Sequence, residues 1–319
     1  MTNGAAILET FYRAPGEFVS TEQLRRALHS DDRLVNAEIT ELKSLGYQFE
    51  SHPHRGYRLL QSPNRLTGDD IRARLRPQTI GTEVLVFERT ASTNDIVADL
   101  AGHGAREGLV VFAESQTKGR GRHGRAWASP RGKGLWCSVL LRPQLPLASF
   151  PSITVAASVA VARAIRQTAA LAPRIKWPND IILNEKKVAG ILTEVRDNAA
   201  VLGIGINVNC ARDDFPPDLA ALATSLAIEA GRQQDRVAFA AAVLTALDNC
   251  YRCALDNFNA IVAEWAENCA TLGRQLTVTM GRRRIEGHAH ALDADGALLL
   301  RKDNGQIERI LGADVMVEK

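Results

Sequence analysis

The chain has 319 residues, enough for two or three domains and a sizeable core. Its net charge is +3 with 24% charged residues, so it is no polycation, and any strong positive field must be local and suited to a small anion. The five cysteines (Cys137, Cys210, Cys250, Cys253 and Cys269) include a single Cys-x-x-Cys within a helical pattern, which argues against a disulfide framework and a zinc site and fits reduced thiols in a cytoplasmic protein.

The first residues, Met1 to Phe11, carry Glu9 and no long apolar core, so no signal peptide is predicted. Ala5–Tyr12 reads as a short apolar helix. Ser20 and Gln23 form a capping box for a second helix running through Leu28. A third, from about Asp31 to Leu45, shows Leu34, Val35, Ile39, Leu42 and Leu45 at helical spacing, and Gly46 ends it. Tyr47–Glu50 and Tyr57–Leu60 read as two short strands. Helix, helix, helix, hairpin over residues 1–63 is the order of a winged helix-turn-helix. Its charge suits nucleic acid poorly: residues 1–62 hold seven Lys/Arg against eight Asp/Glu, and the third helix carries Asp31, Asp32, Glu38 and Glu41 against Arg33 and Lys43. The wing, with His52, His54, Arg55 and Arg58, is better equipped to reach phosphates. Dimer geometry or domain packing is the competing purpose. Ser62-Pro63-Asn64 reads as a linker and Asp69–Leu75 as a connecting helix.

Residues 80–270 mix strands and helices. Val84–Phe87, Leu109–Ala113 and Leu135–Leu141 are predicted strands, with a helix at Asp95–Leu100 preceded by Ser92-Thr93-Asn94. Ile153–Ala170 is a predicted helix; its most apolar stretch, Ile153 to Ala164, is too short to span a bilayer and includes Arg163, so it reads as buried, and no membrane association is expected. Arg174–Lys176, Ile181–Leu183, Val188–Val195 and Val201–Asn207 are further strands, and Arg236–Leu255 and Asn259–Cys269 are helices. Hairpins sit among helices without strict alternation, which predicts an α/β class with a mixed sheet. Residues 271–319 differ. Gln275–Met280, Arg284–Ala291, Ala297–Lys302 and Gln306–Leu311 read as short strands separated by turn signals at Gly281, Asp293–Gly296 and Asn304-Gly305, a small β-barrel or half-barrel.

Between the second and third strands of the middle segment lies Gly119-Arg120-Gly121-Arg122-His123-Gly124-Arg125. Its glycines allow tight turns and close approach to a ligand, and its arginines offer planar forks of donors for phosphate or carboxylate. Residues 115–135 add Lys118, Arg131 and Lys133 and contain no acid. The string also satisfies Gly-x-Gly-x-x-Gly, but Ala126-Trp127-Ala128-Ser129-Pro130 follows, which cannot open the helix that a dinucleotide fingerprint requires. A solvated basic loop is the bland alternative.

Lys176-Trp177-Pro178-Asn179-Asp180 is the second motif. With Asn184-Glu185 as a two-residue turn, Ile182 would pair with Lys187 and Asp180 with Ala189, placing Asp180 and Lys187 on one face as diagonal neighbours about 7–8 Å apart. Such a pair could hold a metal–nucleotide and polarise an anion, or be a surface ion pair of little energetic weight. Gly203-Ile204-Gly205-Ile206-Asn207 allows close ligand approach, though core packing explains it equally. Either hydroxyl of Ser92-Thr93 could be an ordinary helix cap. His52/His54 and His288/His290 lack acidic or thiol partners nearby, so no residue is assigned as a metal ligand.

Together these motifs resemble the biotin–protein ligases. The marks are Gly119–Arg125, Lys176–Asp180 and the following Lys187-Val188-Ala189-Gly190-Ile191-Leu192, in family order and spacing. The likeness covers the whole chain, because winged helix and C-terminal barrel match the bifunctional ligase–repressor subgroup. It implies a catalytic domain similar to class II aminoacyl-tRNA synthetases. It also implies two reactions: biotin and Mg-ATP give biotinyl-adenylate, and a lysine of the biotin carboxyl carrier domain of acetyl-CoA carboxylase then takes the biotin. By resemblance, Lys187, Arg122 and Asp180 are catalytic. Ligand contacts fall to Ser92, Thr93, Asn94, Gln116, Gly119, Arg120, Gly121, Arg122, Arg125, Trp127, Asn179, Lys187, Gly190, Gly205 and Asn207. The resemblance further implies repression of transcription at an operator DNA, with the adenylate-bound form a homodimer. Two departures stand out: Leu222-Ala223-Thr224-Ser225-Leu226 lacks the aromatic that regulatory members often place against adenine, and Gly312–Val317 lacks an arginine that some carry. A lipoate- or octanoate-type ligase and a non-catalytic ligand-sensing regulator are the competing readings.

Overall fold

The structure is a computed structural model that describes residues 2–280, 283–293 and 296–311, together with the backbone of 314–317. Gly281, Gly312 and Ala313, and the Ala294–Asp295 part of one turn, lie outside the described residues.

Three helices open the chain, α1 (Asn3–Arg13), α2 (Thr21–Leu28) and α3 (Asp32–Ser44), followed by the hairpin β1 (Gln48–His52) and β2 (Gly56–Gln61). Local chemistry explains them. The Ser20–Gln23 capping box forms in both directions at α2, an effect of about 1 kcal/mol. Val35, Ile39 and Leu42 of α3 join Ile7, Leu8, Phe11 and Leu24 in a separate apolar core, whereas Leu45 is left exposed. Part of the acidity of α3 serves folding: Asp31 caps the helix by accepting from Arg33 N and Leu34 N at 3.1 Å, and Glu38 accepts from Asn3 Nδ2 at 3.1 Å.

The expected linker is anchored rather than loose. Helix α4 (Gly68–Ala73) carries Asp70, which is fully buried. Its carboxylate receives Tyr12 Oη at 2.6 Å, Tyr47 Oη at 2.7 Å and Arg74 Nε at 2.9 Å, tying α1 and the start of the hairpin to the connector. Burial, reinforced by the Asp70 charge, drives both tyrosine hydroxyls well above their ordinary range. The backbone carbonyl of Asn64 accepts from Arg236 Nη2 at 2.9 Å.

The middle of the chain is built on one seven-stranded sheet. In chain order come β3 (Glu83–Phe87), α5 (Thr93–Gly102), β4 (Leu109–Ala113), β5 (Gly134–Leu141), α6 (Pro151–Ala169), β6 (Arg174–Lys176), β7 (Asp180–Leu183), β8 (Lys186–Arg196), β9 (Ala199–Asn207), α7 (Leu226–Ala230), α8 (Arg236–Asp256) and α9 (Phe258–Glu267). The strand order is β3-β4-β5-β9-β8-β7-β6, with β3 and β4 parallel and the other neighbours antiparallel, so the α/β mixed sheet stands as expected. Helices α6, α8 and α9 cover one face, and α5 packs on the other. Helix α6 begins two residues before the expected Ile153 and ends one before the expected Ala170; with the residues before it, it is long and apolar enough to cross a membrane, but most of that stretch is buried in this core. Helix α7, capped by Ser225, was not expected from the sequence.

A second sheet follows, from β10 (Gln275–Met280), β11 (Arg283–Leu292), β12 (Leu298–Arg301), β13 (Ile307–Ile310) and β14 (Asp314–Val317). It is a five-stranded antiparallel sheet, order β13-β12-β11-β10-β14. The sequence reading placed four strands here and missed β14. Trp177 joins the two sheets: its backbone N donates to Thr271 Oγ1 at 3.0 Å and its Nε1 to Gly296 O at 3.4 Å.

Candidate active site

Strand alternation builds the floor. On β9, Ala200, Leu202, Ile204 and Ile206 enter the main core, which leaves Gly203, Gly205 and Asn207 on the face that carries α5. Gly205 pairs with Gly190 of β8 and Trp136 of β5, and Gly203 with Leu192 and Ser138. These glycines make room for other side chains. A Cβ at Gly205 would stand 2.6 Å from Trp127 Cε2 and Nε1, one at Gly190 2.9 Å from Trp127 Cζ3, and one at Gly203 2.4 Å from Asn94 Oδ1. The indole of Trp127 therefore rests on two paired glycines, with Trp136 edge-on at 6.5 Å.

A buried polar wall rises beside it. Ser92, Thr93 and Asn94 are 3%, 3% and 4% exposed at the start of α5. Ser92 occupies the cap position, yet its side chain makes no capping bond, so the ordinary capping explanation fails there. Thr93 N donates to Gln116 Oε1 at 2.8 Å, and Gln116 Nε2 donates to Ser129 Oγ at 3.0 Å. Ser138 Oγ lies 2.7 Å from Thr93 Oγ1 and 2.6 Å from Asn94 Oδ1. Asn94 Nδ2 donates to Glu194 Oε2 at 2.6 Å. Ser129, Ser138 and Glu194 were not singled out from the sequence. Ser138 on β5 and Glu194 on β8 carry no local signal and belong to the site through pairing with distant strands, and Ser129 is one serine in the loop between β4 and β5.

The arginine loop closes over this wall. Gly119 has no space for a side chain, since a Cβ would meet Trp127 O at 2.5 Å. Trp127 N donates to Gly119 O at 2.8 Å and Gly121 N to Arg125 O at 2.7 Å, with the turn made at His123 (φ 56°) and Gly124 (φ 71°). Arg120 points into the wall, where Nη2 meets Asp95 Oδ1 at 2.7 Å and Glu194 Oε2 at 2.9 Å. Hydrogen bonding to Asp95, then to Glu194, pushes the Arg120 pKa up. Burial pushes the Glu194 carboxyl up, but hydrogen bonds from Arg120 and Asn94 outweigh it and hold the group below the usual carboxylate range. Arg122 reaches across instead, donating from Nη1 to Asn179 Oδ1 at 3.4 Å. Arg125 is exposed.

The second motif meets the first here. Asn179 is locked to β8, donating from Nδ2 to Ile191 O at 2.7 Å and accepting at its carbonyl from Ile191 N at 3.0 Å. Asp180 faces Lys187, with Oδ1 2.6 Å from Nζ. The register corrects one expectation: Ile182 does pair with Lys187, but Asp180 pairs with Gly190, not Ala189. One extra residue, Val188, bulges from β8 and brings the lysine directly onto the carboxylate. Both turn residues, Asn184 (φ 47°) and Glu185 (φ 62°), adopt the left-handed conformation of a two-residue hairpin. Lys187 Nζ also lies 5.1 Å from the centre of the Trp127 ring. Its backbone pairs with the loop before α7, accepting from Thr224 N at 2.9 Å and donating to Leu222 O at 2.9 Å. Asn207 Nδ2 donates to Thr224 O at 3.0 Å, so the stretch without an aromatic borders the site.

Beneath the wall sits a buried ion pair that the sequence reading missed. Arg236 and Glu114 are 1% and 4% exposed at the side chain and 2.8 Å apart. Glu114 also accepts from Leu66 N at 2.8 Å, linking the connector to the loop that carries Gln116.

Consecutive residues Asn179 and Asp180 thus receive one cation each, Arg122 from the glycine-rich loop and Lys187 from the hairpin. Beside the cations lie an apolar floor and a wall of amide and hydroxyl groups. An acid with an apolar body and a polar end, activated through a phosphate, fits this combination. Residues 86–210 match the Biotin/lipoate A/B protein ligase family, and residues 271–317 the Biotin protein ligase C terminal domain. The bifunctional ligase/repressor BirA of Bacillus subtilis (strain 168) is 36% identical over 315 residues, 97% of each chain. The biotin–[acetyl-CoA-carboxylase] ligase of Mycobacterium tuberculosis is 33% identical over 71% of this chain and 88% of its own. The Aquifex aeolicus biotin protein ligase in complex with biotin and ATP superposes with a TM-score of 0.66 and 27% identity, covering 75% of this chain and 99% of that one. With a full-length relative at this identity, the chain belongs to the bifunctional biotin–protein ligase/repressor family.

Proposed function

We propose that this chain activates biotin with ATP and transfers it to a lysine of a biotin carboxyl carrier domain. The observation that carries the reading is the convergence of Arg122 and Lys187 on the Asn179–Asp180 pair beside the Trp127 floor. In the first step the carboxylate oxygen of biotin attacks the α-phosphorus of ATP, a P–O bond forms, and pyrophosphate leaves. In the second the ε-amine of the carrier lysine attacks the acyl carbon, the mixed anhydride breaks, and AMP leaves. Ser92, Thr93 and Gln116 answer the ureido ring, whose polar edge would be costly to bury unpaired. Trp127, lying on Gly190 and Gly205, packs the apolar part of the ligand. Lys187 and Arg122 draw the carboxylate and α-phosphate together and offset the charge that builds on the phosphate oxygens, and Asn207 and Asn179 hold the segments around them. Gly119 and Gly121 give the loop its path, and Arg120 anchors it. Positioning and electrostatics suffice; no covalent enzyme intermediate is required. Magnesium would enter as Mg-ATP, and Asp180 with phosphate oxygens is the kind of set magnesium accepts.

Under this reading residues 1–63 form a winged helix-turn-helix, 80–270 the catalytic domain and 271–319 a small C-terminal barrel domain. The N-terminal unit serves repression, with the adenylate-bound homodimer gripping operator DNA. At the wing, Arg55 and Arg58 lie 4.1 and 4.9 Å from the centre of the Phe18 ring, and Arg58 also pairs with Glu50. The test of the ligase reading is pyrophosphate release with purified protein. Release should need both biotin and Mg-ATP. Equal release with lipoate or octanoate in place of biotin would transfer the chain to the lipoate-type reading, and no release with any acid would leave a ligand-sensing regulator.

A further inference from the structure

Glu194 stands apart from every motif that points to the ligase. It lies on β8, on the same face as Gly190 and Leu192, at the far end of the polar wall. Both its oxygens are engaged. Oε2 accepts from Asn94 Nδ2 at 2.6 Å and from Arg120 Nη2 at 2.9 Å, and Oε1 lies 3.4 Å from Arg120 Nε. Asn94 follows Ser92-Thr93 on the turn that the ligase reading sets against the ureido end of the ligand. Arg120 is two residues before Arg122 on the anion loop. One carboxylate therefore touches both halves of the binding surface, and a carboxylate taking two donors from one guanidinium fixes its direction as well as its distance. Arg120 is shared between two carboxylates, Glu194 and Asp95, so its charge is already met.

We propose, on the basis of the ligase reading above, that Glu194 is a positioning residue that couples the two halves: it pins the base of the arginine loop to the Ser92–Asn94 turn, so that a ligand ordering the turn also orders Arg122. Arg120 is then the anchor of the loop and Arg122 its anion-binding arm. Coupling of this kind is reciprocal. Ordering the loop by nucleotide must tighten the turn as much as ordering the turn tightens the loop.

The test compares Glu194→Gln, Arg120→Gln and the double variant in the full-length protein, reading the biotin Kd, the rate of adenylate dissociation and the rate of tryptic cutting after Arg122 and Arg125 with biotin saturating. Glu194→Gln keeps an oxygen for Asn94 and loses the charge that holds Arg120. Its biotin Kd should stay within about twofold, while adenylate dissociation and tryptic cutting each rise about five- to tenfold, the scale of one partly exposed charge-assisted hydrogen bond. Arg120→Gln, which also loses Asp95, should raise both at least as much, and the double variant no more than Arg120→Gln alone, because Glu194 acts on the loop through Arg120. Biotin Kd, dissociation and Tm worsening together in Glu194→Gln would show a merely structural residue. So would additive singles, and either outcome overturns the proposal. If Glu194→Gln folds poorly, Arg120→Gln alone, changed from the solvent side, must still reproduce the split. Wild-type protein that forms no adenylate refutes the ligase reading itself; active wild type with a silent Glu194→Gln refutes only this inference.

Discussion

Gly205→Ala probes the floor of the site with one methyl group. The added Cβ would fall 2.6 Å from Cε2 and Nε1 of Trp127 and 3.0 Å from Cζ2, against about 3.4 Å for an ordinary contact, so the ring must rise by about 0.8 Å. The indole is rigid and its backbone is held, Trp127 N on Gly119 O at 2.8 Å, so the shift is delivered to the ligand space and toward Lys187. Overpacking of this size costs about 1–3 kcal/mol. The ring is only half-buried, so it can yield outward without ligand, and the cost should appear in binding more than in folding. Titration calorimetry with biotin should then show affinity about five- to hundredfold weaker, with the thermal midpoint shifted by only a few degrees. Unchanged biotin affinity in a folded Gly205→Ala protein would refute the placement of the ligand against this indole.

Four further outcomes follow from named contacts. Arg122→Gly removes the arm that reaches Asn179, so adenylate should dissociate at least about tenfold faster and label bystander lysines, which mass spectrometry of added albumin would detect. Lys187→Ala should lower adenylate formation by about 10²–10³-fold, read as pyrophosphate release, while its partly exposed ion pair with Asp180 leaves stability nearly unchanged. Burial pushes the thiols of Cys137 and Cys210 up to about 12 and that of Cys250 up to about 11. Raised folded values contribute stability that is full below the unfolded thiol value of about 8.5 and declines as pH climbs toward the folded ones, so native protein at pH 8 should label first at half-buried Cys253, and melting temperature should fall above that pH. Charge reversal at Arg55 and Arg58 should weaken operator binding in a mobility-shift titration more than neutralising Arg33, because Arg33 sits among Asp31, Asp32, Glu38 and Glu41 at α3, whereas the hairpin carries one acid, Glu50, which pairs with Arg58.

What could be read from the sequence was local. The Ser20–Gln23 box, the 3.6-residue spacing of Val35, Ile39 and Leu42, and the glycine–arginine string are each contained within a short window, and each formed where expected. The motifs also carried most of the candidate site, because Lys187 and Asp180 face each other across a single hairpin. What escaped lies at long separation. Asn94 and Glu194 are 100 residues apart and Arg236 and Glu114 are 122, and no window links them until α5 and α8 are packed against the assembled sheet. The bulge at Val188 escaped because a strand of alternating pattern does not announce an extra residue. Asp70 escaped because an acid in the first turn of a short connecting helix gives no sign of burial, and it is buried under two tyrosines.

The most direct measurement is intact-mass analysis of a biotin carboxyl carrier domain incubated with the purified protein, biotin and Mg-ATP. The carrier should gain one biotinyl group on a single lysine, and omission of either biotin or ATP, or use of Lys187→Ala, should abolish the gain or slow it by about 10²–10³-fold. A carrier that keeps its mass in the complete mixture, or that is modified as fast by Lys187→Ala as by the wild type, would contradict the account.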